Sequence, residues 1–193
     1  MPATSEEGGV VTNGMSNYKR NERNANSALI AQVGKADFGS DSPLAGVEFQ
    51  RKIERLAFQA GGGDYSAPTQ LVGDFLLGKE SKKYGEIQPS YGAGTRLTDL
   101  SRVFPTPVLT ALRGGIQDMD KRLKGFARPD AVLTASETRT SSPIRMERDE
   151  NLQSVSVAKL FPCGEGAGYA GGITSSAVDG IRVADAVYAS FLE

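Results

Sequence analysis

The chain has 193 residues, 39% hydrophobic and 23% charged, a balance that predicts a folded globular protein of one ordinary domain, or one domain with a fragment. A formal net charge of -1 argues against a nucleic-acid or membrane-surface role driven by bulk electrostatics. With no histidine and a single cysteine, Cys163, the chain excludes Ser-His-Asp and Cys-His catalysis, the common zinc sites and an intrachain disulfide; no metal site is expected.

In chain order, residues 1–27 read as irregular, because Gly8-Gly9, Asn13-Gly14 and the polar run from Asn17 to Asn26 carry turn signals. Val10-Val11 fits a short strand. Ala28 to Val33 reads as a buried strand ended by Gly34. A helix follows, capped by Asp41 or Ser42 and carrying Leu44, Val47, Phe49, Ile53, Leu56 and Ala60 along one side. Gly61-Gly62-Gly63 stops it. Thr69 to Leu77 is apolar and fits either a strand or a short helix, with Gly78 as its end. Lys79 to Lys83 reads as a solvated basic turn. Leu97 to Val103 suits one helical turn. Thr106-Pro107 opens a helix running to about Lys124 despite Gly114-Gly115. Ala131 to Ala135, Ser154 to Val157 and Phe161 to Cys163 read as three short strands. The last helix, from about Ile173 to Phe191, repeats apolar residues at Ile173, Ala177, Ile181, Ala184, Tyr188 and Phe191. The elements do not alternate regularly, which predicts an α+β fold.

The densest chemical signal lies before that last helix. Gly166, Gly168 and Gly171 match the G-x-G-x-x-G spacing of dinucleotide-binding turns. Such a turn admits a ligand close to the backbone and aims a helix N-terminus at its negative charge. Only about 20 residues follow, enough for a helix but not for the second strand of a mononucleotide-binding unit. The loop therefore belongs to another part of a nucleotide site, or the remainder of the site lies outside the chain. A pyrophosphate or a flavin pyrimidine edge suits the helix end, and Glu165 is placed to accept from sugar or ribityl hydroxyls. The alternative is a tight turn without a ligand. Glu137 to Ser142 sets two ionisable groups among hydroxyls; Arg139 can clamp an anion, or pair locally with Glu137 in an ordinary polar turn. Cys163 fits a small buried residue. No apolar run approaches the roughly 18 residues that span a bilayer, and Met1 to Val11 does not read as a signal peptide; a cytoplasmic location is expected.

Gly164-Glu165-Gly166-Ala167-Gly168-Tyr169-Ala170-Gly171-Gly172-Ile173, followed by Ala177-Val178-Asp179-Gly180, resembles the C-terminal signature of a bacterial family of uncharacterised FAD-dependent, or NAD(FAD)-utilising, dehydrogenases. Glu6 to Ser16, Glu48 to Arg51, Pro68 to Phe75, Lys124 to Asp130 and Glu137 to Pro143 carry the same resemblance. It implies a flavoprotein whose FAD domain is interrupted by a middle domain. By that pattern residues 1–150 are a middle, substrate-type domain starting partway in, and residues 151–193 are the segment returning to the FAD domain. The chain is then a C-terminal fragment of an oxidoreductase, weak in FAD binding and inactive alone. Gly164 and Glu165 would touch the ribityl or ribose region. Gly171, Gly172 and Ile173 would bring the helix end to the pyrophosphate or pyrimidine edge. Glu137, Arg139, Ser141 and Ser142 would face the substrate side. The resemblance names neither a catalytic residue nor the small-molecule substrate. A partnerless apolar face on the last helix would favour self-association. The competing reading is a non-enzymatic interaction or ligand-binding module.

Overall fold

Two stretches of the chain interleave to form the first of two units, in a computed structural model that describes residues 2–192. This unit takes the chain up to Asp37 together with Phe49–Thr138; the second takes Phe38–Glu48 and the chain from Arg139 on.

Helix α1 (Ala45–Gly61) begins in the second unit and continues into the first. Ser42 Oγ accepts the Leu44 N–H at 3.3 Å and Ser42 O accepts the Ala45 N–H, so Ser42, one of the two predicted caps, anchors the turn that leads into the helix. The helix stops at the glycines because Gly62 and Gly63 take φ of +107° and +78°. Strand β1 (Ala67–Leu71) then runs directly into α2 (Val72–Leu77), which ends on Gly78 in the left-handed conformation. The ambiguous apolar run is thus a strand and a helix in succession. Strand β2 (Thr95–Leu97) precedes a single 3-10 turn at Leu100–Arg102, α3 spans Thr106–Arg122, and β3 covers Val132–Thr134.

The sheet order is β2-β1-β3, with β2 parallel and β3 antiparallel to the central β1. This small mixed sheet with helices is consistent with the expected α+β class. Because β1 is central, Ala67 to Gln70 are buried. Ile53 and Ala57 of α1, Val72 and Phe75 of α2, and Leu109 and Ile116 of α3 surround it as one core. Fully buried Gln70 is satisfied at both ends: its Nε2 donates to Lys79 O and its Oε1 accepts from Leu100 N–H. The basic turn after α2 is therefore more than a solvated loop. Its lysines are exposed, but Ser81 is buried, with its Oγ accepting from Leu71 N–H and donating to Asp74.

Four expected strands do not form. Ala28 to Val33 is irregular and mostly exposed; Leu29 alone of that run packs against the core. An apolar run becomes a strand only where a partner edge receives its backbone. Ser154 to Val157 reduces to one antiparallel bridge between Arg148 and Ser154. Phe161 to Cys163 is not a strand either, because the Pro162 carbonyl accepts from the Arg148 side chain instead of from a neighbouring strand. Val10 and Val11 are buried without forming a strand; Val10 N–H donates to Glu54 O. No helix among the described residues is long and apolar enough to cross a membrane.

In the second unit, α4 (Ile173–Ala189) follows the glycine loop. Its buried residues are Asp179 and Val183, one turn apart, while Ile173, Ile181 and Tyr188 are exposed, as is Phe191 just beyond the helix. The apolar stripe read from the sequence is therefore its open side.

Candidate functional site in the glycine loop

The loop is built on a turn at Glu165, whose carbonyl accepts from Gly168 N–H at 2.9 Å, while Gly164 O accepts from Tyr169 N–H at 3.0 Å. Gly164 and Gly168 hold φ of +71° and +82°, a region costly for any residue with a Cβ. The glycines otherwise divide into two kinds. At Gly168 a Cβ would lie 2.5 Å from Ile144 O and 3.0 Å from Arg145 Cα, so its small size is used by this chain's own backbone. At Gly164, Gly166 and Gly171 a Cβ would meet nothing within 4 Å. Gly166 and Gly171 are exposed and leave open backbone beside the start of α4, while Gly164 is buried with its N–H and C=O both bonded within the chain.

Gly172 caps α4 in extended conformation, with no side chain accepting from the first turn. The helix N-terminus is therefore a patch of partial positive charge facing outward. Ile173 is exposed beside it. Glu165 is half-buried within the turn.

The expected substrate-side residues separate. Ser142 joins the loop: its Oγ lies 3.1 Å from Gly166 O and 3.0 Å from Ile144 O, with one proton to share between them. Ser141 and Arg139 are exposed in the same unit, whereas Glu137 is an exposed residue of the first unit. Two further bonds tie the loop to the segment after Ser142. Met146 N–H donates to Ala167 O, and the Tyr169 hydroxyl donates to Met146 O at 2.9 Å. Arg145 and Arg148 both lie over the Tyr169 ring, at 4.4 and 3.6 Å from its centre.

Sequence reasoning missed the ionic centre of this unit. Arg148 Nη2 donates to Asp179 Oδ1 at 2.6 Å and Nη1 to Asp179 Oδ2 at 3.1 Å, with both side chains about nine-tenths buried. Asp179 Oδ2 also accepts the buried Gly164 N–H at 2.8 Å, and Arg148 Nη1 reaches Pro162 O at 2.8 Å. The Arg148 bonds, followed by the Gly164 amide, hold the Asp179 carboxyl below its usual range; Asp179 in turn raises Arg148. The available signal for Asp179 was a lone acid in the apolar stretch Ala177 to Val183. Nothing in the local sequence marked Arg148. Cys163, between the two tethered backbone groups, is a free and exposed thiol rather than the buried residue expected.

Residues 1–140 match the family described as FAD-dependent protein, C-terminal domain-like, and the chain belongs to that family. It is 53% identical over 189 residues, 98% of its length, to an uncharacterised protein of Clostridium beijerinckii. The chain spans 36% of that relative's length.

Proposed function

We propose that this chain supplies the closing part of the FAD site, and the substrate-side domain, of a flavin-dependent oxidoreductase. Residues 1–150 would form the substrate-side part and 151–193 the part that returns to the cofactor. The observation that carries this reading is the open backbone at Gly166 and Gly171 beside a 17-residue helix whose N-terminus no side chain caps, in a chain of an FAD-dependent family.

These residues fit the group. Open glycine backbone admits a flat or anionic ligand without steric conflict, and the first turn of α4 offers N–H groups and the positive end of the dipole. Gly171, Gly172 and Ile173 would face the pyrophosphate or the pyrimidine edge, and Gly164 and Glu165 the ribityl or ribose hydroxyls. Gly166 would leave room beside them. Gly168 would hold the turn against Ile144 and Arg145. Ser142, bonded to the Gly166 carbonyl, would link the loop to the substrate side, with Arg139 and Ser141 as its further members. A bound flavin supplies the redox chemistry; the chain's part is to bind, orient and exclude water.

The 193 residues alone are expected to bind FAD weakly or not at all, because the site needs contacts beyond this loop. Visible absorbance after desalting, with and without added FAD, tests this, and stoichiometric retained flavin would refute it. In a longer polypeptide carrying this segment, Gly171→Val should abolish flavin retention and Glu165→Ala should weaken it, with the fold unchanged by circular dichroism. Normal flavin content in both variants would remove the loop from the site.

A second reading is a non-enzymatic interaction module, supported by the outward apolar residues Ile173, Ile181, Tyr188 and Phe191. It predicts a stable complex with a protein partner and no flavin in any longer form.

A further inference from the structure

The Gly164 amide is buried, and its acceptor is a carboxylate 15 positions further along the chain. The carbonyl two residues before it, Pro162 O, is taken by the guanidinium paired with that carboxylate. One ion pair therefore holds the backbone on both sides of Cys163 where the chain enters the glycine turn. The Gly164 carbonyl then closes the turn by accepting from Tyr169 N–H, and the Tyr169 ring lies under the same guanidinium. Since Asp179 belongs to α4, the loop and the helix are coupled through a single side chain.

We infer that Asp179 and Arg148 are positioning residues that lock the glycine loop in register with α4. Neither needs to touch a ligand. Asp179 fixes the distance between Gly164 and the helix axis, and Arg148 fixes the approach of Pro162. The purpose of that register, a shaped backbone beside the helix N-terminus, rests on the flavin reading above; the lock itself does not. Both partners are required by chemistry. Loss of Asp179 would leave a buried N–H without its acceptor and a buried guanidinium without a counter-charge, and loss of Arg148 would leave a buried carboxylate without its cation, so the loop would leave this conformation in either case.

The test is amide hydrogen exchange on the 193-residue chain, read by NMR at Gly164, with Val183 of α4 as the internal control. In Asp179→Ala, Gly164 should exchange faster by about tenfold or more, as expected for loss of a charge-assisted bond. Asp179→Asn keeps one acceptor oxygen but removes the counter-charge of Arg148, so Gly164 should exchange at a rate between wild type and Asp179→Ala. Exchanging the pair, with Arg148→Asp and Asp179→Arg together, restores opposite charges but faces Gly164 with a donor. Its Gly164 amide should remain fast. Unchanged exchange in Asp179→Ala, or recovery in the exchanged pair, overturns the proposal.

If Asp179→Ala also releases Val183, the unit has unfolded, and Arg148→Lys decides. It keeps the charge but loses the two-pronged geometry, so Gly164 should loosen while Val183 stays protected; protection unchanged at Gly164 overturns the lock. In the longer polypeptide, Asp179→Ala should lower flavin content with Val183 protection intact. Normal flavin there would refute the positioning role. A wild-type longer polypeptide that binds no flavin would instead sink the flavin reading and leave the exchange result standing.

Discussion

At Gly168 the backbone has φ of +82° and approaches Ile144 and Arg145 so closely that no side chain fits, whereas at Gly171 an added Cβ meets open space. The two residues look alike in the G-x-G-x-x-G pattern and should behave in opposite ways. Gly168→Ala is expected to destabilise the chain by about 2–4 kcal/mol, combining left-handed strain with overpacking. Gly171→Ala should change stability by less than about 0.5 kcal/mol. Urea denaturation of the two variants checks the contrast. Asp179 makes a second residue-scale prediction. Its folded pKa lies below the ordinary value of 3.8, so its stabilisation is complete above that value and is lost as pH falls through the lowered one. Thermal melting from about pH 6 to about pH 2 should show a shallower acid loss in Asp179→Asn than in wild type. Asp64, Asp118, Asp120 and Asp130 are also lowered but remain in both proteins, so the difference belongs to Asp179. An equal acid loss in both would remove the pair from the pH response.

At the scale of elements, α1 and α3 were legible because their signals are local. Ser42 and the triple glycine bracket α1, and Thr106-Pro107 opens α3, which continues through Gly114-Gly115 because Leu109 and Ile116 are buried in the core. Short strands were less legible. Val132–Thr134 pairs because β1 presents a free edge to it, while the more apolar Ala28 to Val33 finds none. The short α2 depends on its packing: Phe75 is 1% exposed and lies under the Arg113 guanidinium, which also donates to the Phe75 carbonyl. Phe75→Ala should cost about 3–5 kcal/mol by removing an aromatic ring from a close-packed core. Chemical denaturation measures it, and a loss below about 1 kcal/mol would show that the core closes over the cavity.

Taken as a whole molecule, the chain carries an apolar surface on α4 that no described residue covers. Ile173 is 93% exposed and Phe191 81%, with Ile181 and Tyr188 between them. In the proposed flavoprotein this side would meet the remainder of a longer polypeptide. For the 193 residues alone we expect self-association through it, visible as a concentration-dependent sedimentation coefficient, and Ile181→Asp should suppress that dependence. A concentration-independent monomer in the wild type would refute the expectation.

The sequence by itself determined where the long helices run, where glycine must end them, and that a glycine-rich turn leads into α4, since helical period, capping and backbone freedom are properties of neighbouring residues. It also carried a resemblance to an FAD-dependent family, and the match over residues 1–140 places the chain in such a family. Only the tertiary structure decided which side of α4 is buried, which glycines are packed against the chain and which are open, and that Arg148 meets Asp179 across 31 positions. Those outcomes depend on which distant groups arrive together and leave water. A buried carboxylate must find a cation and an N–H within reach, and no local pattern of residues records where they will come from.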